Sequence, residues 1–442
     1  MKIKVLSPLH IGCGESYNAL TSFIEGNRLF VLDIERLFKT IGTELSLKFG
    51  DWIINRHKKD LNLKDFIIQN RIPLSKVKQA CIYSVNCKNR PNFNKEIHSF
   101  IKQMHKPYIP GTEIKGAIRT ALLYKAFCED RGIQEFLKDS LNKMLSEKVK
   151  IKNTGRLTYK DLIEKVKNRR PNNRREFREF NLFKKALSER TKKIESKLQE
   201  FVFRGKSDDA KYDLLKFLHI GDSVLLNPSE VLCISYAEPF NISRKFQVFY
   251  EYMLPDTEIS LTEFKLELIS EKLKKTGLKE KQERLLKNLE AVFSSCFTFT
   301  KDLLNEEISF FEKHNLNDVV DQLIQIEQKN DPKNPVIRIG KDEGYLSLTI
   351  SLAVKKLMPD LYENILIHAT KNISYDSSHG GPLPKSRKLV KWDGRRFTSG
   401  WIQLVFDNVQ SETKPSNGVS QGIDSKSIEA LKRKFRVREL KR

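Results

Sequence analysis

The residues with the clearest chemical potential lie in "YIPGTEIKGAIRTALL", residues 108–123. Lys115 and Arg119 are four positions apart, so on a helix both cations project from one face. Thr112 lies one turn earlier on that side, and Gly116 removes a side chain that would hold a ligand away from the helix. Together with the free N–H groups of a helix N-terminus, these residues predict a phosphate-binding surface. The alternative is a surface helix with solvated charges, although a glycine inside a helix costs about 1 kcal/mol relative to alanine.

A histidine and two close glycines give the N-terminal segment a second chemical possibility. In "SPLHIGCGESYN", His10 precedes Gly12 and Gly14. Glycines adopt backbone conformations that other residues avoid, and they allow a bulky ligand to approach closely. His10 could act as a general acid or base in metal-independent RNA cleavage, bond a phosphate, stack on a base, or pack in the core.

Two segments in the C-terminal part of the chain place further cations beside glycines. In "RIGKDEGY" the strand-then-glycine pattern of the N-terminus returns, and we expect RNA contacts from Arg338 and Lys341. Lys385 and Arg387 belong to a basic loop at residues 377–401, for which phosphate contacts and docking of a neighbouring subunit are both open.

No metal or cofactor motif stands out. Asp208, Asp209 and Asp222 form a weak candidate for a divalent-metal cluster, but acids in a polar segment are usually solvent-exposed. The six cysteines are scattered without CxxC pairs, which favours reduced cytosolic thiols over a zinc site or a disulfide framework. The Rossmann and P-loop fingerprints are absent. We therefore expect no cofactor.

Short strands and helices must position these residues. We expect a strand at residues 3–12 that runs into a glycine turn, then a hairpin and a helix capped by Asp33. Thr112 is expected to cap the helix that carries Lys115. Residues 81–87, 218–240, 246–268, 336–350 and 400–406 have strand patterns. Alternating strands and helices suit two ferredoxin-like units of α+β class better than a Rossmann sheet.

The composition indicates a polyanionic partner. The chain has 442 residues, 80 Lys and Arg against 56 Asp and Glu, a formal charge of +24 and a pI near 9.6. Positive charges in such excess repel one another in the compact state, and nucleic acid is the commonest partner that reduces this repulsion. An acidic membrane surface is the alternative partner, but the sequence has neither a transmembrane-length apolar run nor a signal peptide. We expect a cytoplasmic protein that does not bind a membrane.

These motifs together resemble the RAMP superfamily of CRISPR-associated proteins. The resemblance extends from Lys4 to about Phe406, and its order, spacing and length are similar to the family of fifth subunits of type III-A Csm effector complexes. It is carried by "SPLHIGCGESYN", "YIPGTEIKGAIRTALL", "KYDLLKFLHIGDS", "RIGKDEGYLSLT" and "PKSRKLV" followed by "GWIQL".

The resemblance implies two RRM-like, ferredoxin-like domains with insertions. The residues of this chain indicate helical and basic insertions, and the basic one matches no clear family pattern, so its role stays open. We expect the first at residues 1–240, with a basic helical insertion at about 148–205. The second is expected at 241–406, followed by a basic tail at 407–442. The arginine-rich start of the insertion, at residues 169–178, is expected to be a loop that precedes a helix beginning near residue 181.

The resemblance also implies a function and partners. The subunit would cap the 3′ end of the CRISPR RNA, help its maturation in antiviral defence, and have no nuclease activity of its own. Neighbouring RAMP backbone subunits, small helical subunits and host nucleases would be its partners. Thr112, Lys115, Gly116 and Arg119 would meet guide phosphates, and Gly12 and Gly14 would shape the same groove with His10 as an RNA contact or structural support.

Two other functions remain open at this point. One is a RAMP endoribonuclease that processes precursor CRISPR RNA with His10 or His379. The other is a basic scaffold that docks proteins and for which RNA is incidental.

Overall fold

The computed structural model describes residues 1–56, 61–91, 96–151, 155–167, 171–204, 209–241, 246–267, 280–369, 384 and 386–406. Residues 1–406 form one compact unit. The basic tail at 407–442, Lys385 and His379 lie outside the described residues.

The first half of the chain alternates short strands with helices. Its elements are β1 (Lys2–Val5), β2 (Gly12–Tyr17), β3 (Ser22–Glu25), β4 (Arg28–Leu32), α1 (Ile34–Ile41), α2 (Thr43–Ile54), α3 (Leu63–Gln69), α4 (Leu74–Gln79), β5 (Cys81–Cys87), β6 (Ile97–Phe100), β7 (Lys102–Gln103), β8 (Lys106–Pro107), α5 (Gly111–Glu129), α6 (Arg131–Ser146), β9 (Lys148–Ile151), β10 (Gly155–Thr158), α7 (Tyr159–Lys167) and α8 (Arg174–Phe203).

The second half begins with strands, continues with helices and ends with strands. Its elements are β11 (Leu218–Ile220), α9 (Pro228–Val231), β12 (Leu232–Phe240), β13 (Val248–Met253), β14 (Glu258–Ser260), β15 (Phe264–Leu266), α10 (Glu280–Arg284), α11 (Leu289–Glu312), α12 (Asn317–Lys329), β16 (Val336–Arg338), α13 (Tyr345–Leu348), α14 (Ser351–Leu357), α15 (Pro359–Leu361), a π-helical turn (Tyr362–Leu366), α16 (Ile367–Ala369), β17 (Arg387–Trp392), β18 (Arg395–Phe397) and β19 (Trp401–Val405).

The larger sheet has the strand order β2-β6-β13-β12-β5-β4-β3, and β12 also pairs with β17, which pairs with β18. The long strand β12 permits this branching because its start pairs with β5 and its end with β17. β6 and β13 run parallel, whereas β2 and β6 are antiparallel. The N-terminal strand β2 therefore lies beside strands that are distant in sequence.

A second sheet joins the two ends of the described unit. Its order is β14-β1-β19-β16, with Lys2 opposite Val405 and Val5 opposite Ile402. Ile3, Val5, Ile402 and Leu404 are completely or almost completely buried there. The segment "GWIQL" is thus the central partner of the first strand of the chain.

Helix α5 forms the centre of the main core. Ile114, Ile118 and Leu122 recur at helical spacing and have no exposed surface. The helix packs against α11, and the ring of Tyr124 lies 5.1 Å from that of Phe299. Burial of this face explains why the chain after Gly111 is helical for 19 residues.

The structure confirms the α+β class and several local predictions. Asp33 accepts a hydrogen bond from the backbone N–H of Arg36 and so caps α1, and the strand at Cys81–Cys87 and the closing strand at Trp401–Val405 are present. The division expected at residue 240 falls between β12 and β13, which pair with each other.

Three local predictions are wrong. The glycine segment is part of strand β2, whose pairing with β6 is irregular between Gly12 and Ser16 and whose Gly14 has φ of +87°. Thr112 does not cap α5, because the cap position is Pro110, and the backbone N–H of Gly111 at the helix start donates to the side chain of Asp222 instead. Helix α8 begins at Arg174, since Asn173 accepts hydrogen bonds from two backbone N–H groups and starts the helix before residue 181. Its arginines at 174–178 are therefore helical.

No helix within the described ranges is long and apolar enough to cross a membrane.

A buried triad of charges joins α11 to the C-terminal strands. Glu307 on α11 accepts a hydrogen bond of 2.7 Å from Nε of Arg387, and its other oxygen lies 3.7 Å from Nη1 of Arg338. The three side chains are at most 7% exposed. The arginines also lie over the rings of Phe310 and Trp401, at 4.1 and 4.9 Å.

Replacing Glu307 should destabilise the fold strongly. We expect Glu307→Gln to lower the free energy of unfolding by about 3 kcal/mol or more, because two buried guanidinium groups lose their counter-charge. Glu312→Gln, an exposed position on the same helix, is the matched control and should change little. Chemical denaturation measures both, and equal stabilities of the two variants would contradict the assignment.

Candidate nucleic-acid interface

The N-terminal glycines, the start of α5 and the loop after β16 enclose one groove. The cavity has a volume of about 570 Å³. We call it the His10 groove, and it is lined by His10, Ile11, Gly12, Gly14, Glu15, His98, Ser99, Glu113, Tyr250, Gly340, Lys341 and Lys388. These residues come from six separate stretches of the chain.

His10 forms part of the wall of this groove and is 2% exposed. Its Nδ1 lies 2.8 Å from the backbone carbonyl oxygen of Glu251, and its ring lies 4.6 Å from the ring of Tyr250. Burial lowers the pKa of His10 to about 4, against the opposing effect of this hydrogen bond. The ring is therefore neutral near pH 7, and Nδ1 carries the proton because its partner is a carbonyl oxygen.

The loop after β16 is seated directly on His10. Gly340 has φ of +86°, and a Cβ atom there would lie 2.4 Å from the carbonyl oxygen of His10. The same oxygen accepts a hydrogen bond of 2.8 Å from the backbone N–H of Lys341. The glycine thus permits the close approach that brings Lys341 to the groove.

A buried carboxylate supports the strands beneath the groove. Glu251 has no exposed surface, and its carboxylate forms an ion pair with Lys102. It also accepts hydrogen bonds of 2.8 Å from the backbone N–H of Phe100 and from the hydroxyl of Tyr83. Tyr83 continues the network to Tyr17 on β2, at 2.5 Å between the hydroxyl oxygens. This network fixes β2, β6 and β13 relative to one another.

Positive and negative side chains face the groove together. Lys341 is exposed, and Lys388 is one-third exposed while it pairs with Asp342 at 2.7 Å. Glu113 comes from the first turn of α5. Burial raises the pKa of nearby Glu343 to about 8, with a smaller contribution from the charge of Glu113 and opposition from Arg338. The neutral form of Glu343 leaves less negative charge beside the lysines at pH 7.

The cations predicted on α5 lie in a different environment. Arg119 donates two hydrogen bonds to Asp213, at 2.8 and 3.1 Å, and one to Gln199 of α8. Lys115 is half-buried, and burial lowers its pKa despite the opposing charge of Asp213. Thr112 and Gly116 are exposed. Arg119 thus ties the basic insertion to α5, and an RNA contact at these four residues stays a prediction.

The two C-terminal arginines predicted to bind RNA are inside the protein. Arg338 and Arg387 are 5% and 8% exposed because Glu307 and two aromatic rings surround their guanidinium groups. They stabilise the fold and present little surface to a phosphate. Lys341 remains at the surface, and Lys385 lies outside the described residues.

Sequence reasoning missed several lining residues. His98 and Tyr250 stack at 5.1 Å on neighbouring strands, and neither was singled out as a site residue. The available signal was Glu251 in the apolar strand "VFYEYM", because a charge at such a position requires a buried partner.

The weak metal candidate is not assembled within the described structure. Asp222 accepts a hydrogen bond of 2.9 Å from the backbone N–H of Gly111, and Asp209 accepts one from that of Lys211. Asp208 lies outside the described residues. In the described ranges, no group of three His, Cys, Asp or Glu side chains is placed to hold a metal ion.

The mixed sheets and helices place the chain in the α+β class, with one groove that two lysines line. Residues 2–308 match the RAMP superfamily, and the chain belongs to this family. The resemblance drawn from the sequence motifs is confirmed.

Curated relatives bear the name "CRISPR system Cms protein Csm5". The chain is 25% identical over 251 residues to the one from Methanocaldococcus jannaschii, in a match that covers 49% of this chain and 59% of the relative. It is 30% identical over 132 residues to the one from Streptococcus thermophilus, covering 28% and 37%. The matched part is thus less than two thirds of the length of these relatives.

Solved structures share the fold over most of the described unit. A chain of a structure described as "Cryo-EM structure of Csm-crRNA-target RNA ternary complex in type III-A CRISPR-Cas system" has a TM-score of 0.63 and 22% identity, covering 91% of this chain and 99% of that one. The crystal structure of T. onnurineus Csm5 has a TM-score of 0.62 and 23% identity, covering 91% and 100%.

The buried state of His10 predicts a pH-dependent stability. Between its ordinary pKa of 6.5 and about 4, the unfolded chain takes up a proton that folded His10 does not. The free energy of unfolding should therefore fall as the pH decreases from about 6.5 to about 4. The His10→Asn variant should lack this part of the pH dependence of the free energy of unfolding, which denaturation at several pH values across that range measures. If the free energies of unfolding of the wild type and of His10→Asn fall equally over this pH range, the assignment of a buried, neutral ring is contradicted.

Proposed function

We propose that this chain is the CRISPR-RNA-binding subunit of a type III-A Csm effector complex and that it caps the 3′ end of the guide. It helps guide maturation in antiviral defence without cutting RNA itself. The observation that carries the proposal is the His10 groove, which Lys341 and Lys388 line together with the glycines of β2. Membership of the RAMP superfamily and the likeness to proteins named Csm5 support the same assignment.

The chemistry of the groove favours holding RNA over cutting it. Two lysines supply charge for phosphates, and Gly12 and Gly14 leave the surface of β2 open. A ribonuclease that uses His10 as general acid would need a protonated ring, and one that uses it as general base would need a ring that readily takes up a proton, but burial lowers the pKa of His10 to about 4. Nδ1 is also occupied by the carbonyl oxygen of Glu251.

The proposed partners follow from the assignment. Neighbouring RAMP backbone subunits, small helical subunits and the 3′ region of the guide are the expected contacts, with host nucleases that trim the guide. The division of the described unit into two ferredoxin-like halves near residue 240 is part of the same proposal. The antiparallel pairing of β1 with β19 would then join the first strand of one half to the last strand of the other.

Replacing the groove lysines should weaken RNA binding in a salt-dependent way. We expect Lys341→Gln with Lys388→Gln to lower affinity for single-stranded RNA and to reduce the salt slope by about one per lysine. Glutamine at position 388 retains a donor for Asp342. Lys39→Gln on α1, an exposed lysine outside the groove, is the control. Titration by fluorescence anisotropy at several salt concentrations measures the slope, and an unchanged slope would favour the protein-docking scaffold.

A second experiment tests the position and the absence of cleavage. In an assembled complex, this chain should protect the 3′ end of the guide from chemical probing, and purified chain should leave a repeat-containing RNA at full length. If purified chain cuts this RNA and His10→Ala abolishes the cut, the endoribonuclease alternative replaces the proposal.

A further inference from the structure

The tautomer of His10 leaves one ring nitrogen as a hydrogen-bond acceptor. Because Nδ1–H donates to the carbonyl oxygen of Glu251 at 2.8 Å, Nε2 of the neutral ring carries a lone pair. Among the described residues, no group is hydrogen-bonded to Nε2. Tyr250, Phe100 and Tyr252 pack around the ring with centroid distances of 4.6 to 6.1 Å, so that its orientation is held.

The missing side chain of Gly12 leaves the space beside this nitrogen unfilled. A Cβ atom at position 12 would lie 3.1 Å from Nε2 and 3.9 to 4.0 Å from the two adjacent ring carbons. Nε2 is thus the ring atom nearest to the position that a side chain at residue 12 would fill. Gly12 is exposed and has an ordinary φ, so its lack of a side chain matters for space and not for backbone conformation.

We propose that Nε2 of His10 accepts a hydrogen bond from a ribose 2′-hydroxyl, so that the groove discriminates RNA from DNA. This inference rests on the proposed function and names how the same groove recognises its ligand.

The chemistry of the neighbouring groups selects this partner. A phosphate oxygen has only lone pairs to offer and would be repelled by the lone pair of Nε2, whereas a 2′-hydroxyl can donate. Lys341 and Lys388 line the same cavity and supply the cations that a phosphate needs. His10 thus recognises the sugar, while the two lysines bind the phosphate backbone.

Binding of matched oligonucleotides tests the inference. The probes are one single-stranded sequence as all-ribose, all-deoxy and all-2′-O-methyl, followed by a scan that places one 2′-deoxy nucleotide at each position in turn. We expect a single critical position at which the deoxy substitution weakens binding about threefold to tenfold, the value of one hydrogen bond. A 2′-O-methyl group there should weaken binding as well, because it cannot donate. Since the bases are unchanged, a base donor cannot account for this result.

Two variants tie the effect to His10. Gly12→Ala covers Nε2, and the ratio of RNA to DNA affinity should fall toward one. Cys13→Ala, on the same strand and outside the groove lining, should keep the wild-type ratio. Thermal unfolding of each variant confirms that it is folded. A preserved RNA preference in Gly12→Ala would overturn the inference.

The outcomes separate this inference from the proposed function. If the wild-type chain binds RNA and DNA equally and with the same salt dependence, the sugar-reading role of His10 fails while the phosphate-holding groove stands. If the chain binds neither polymer at low salt, the proposed function itself fails.

Discussion

The burial of one carboxylate, that of Glu251, is the constraint on which the groove depends. A charge inside a core is costly unless it is paired and hydrogen-bonded, and here Lys102, Tyr83 and the backbone of Phe100 meet that requirement. The backbone carbonyl of the same residue fixes the tautomer of His10. One position on β13 therefore holds three strands together and determines which nitrogen of the histidine carries the proton.

The same principle explains why the arginines of this basic chain have different roles. Arg338 and Arg387 share Glu307 inside the protein, and Arg119 binds Asp213 at the junction with the insertion. A guanidinium group suits such positions because it forms several hydrogen bonds in fixed directions. The groove instead presents lysines, whose ammonium groups lie at the ends of flexible side chains. Net charge alone could not distinguish these two uses.

Glycines act in this structure mainly by allowing groups to approach. Gly340 lets the loop that carries Lys341 contact the backbone of His10, and the missing side chain of Gly12 leaves the space beside Nε2 unfilled. The two ends of the groove come from residues about 330 positions apart, and the sheet that pairs β1 with β19 brings them together. The C-terminal strands are thus as necessary for the N-terminal site as the glycine segment itself.

The sequence by itself determined the α+β class, the helix after Gly111, the closing strand and the family, because these depend on local periodicity and on motifs that can be read in order. It also identified His10, Gly12, Gly14 and Lys341, which line one groove. Only the tertiary structure decided that Arg338 and Arg387 are buried, that Arg119 is paired, and that His98 and Tyr250 join the site. The reason is physical: whether a charge meets a carboxylate or solvent depends on contacts between strands and helices that are far apart in the chain.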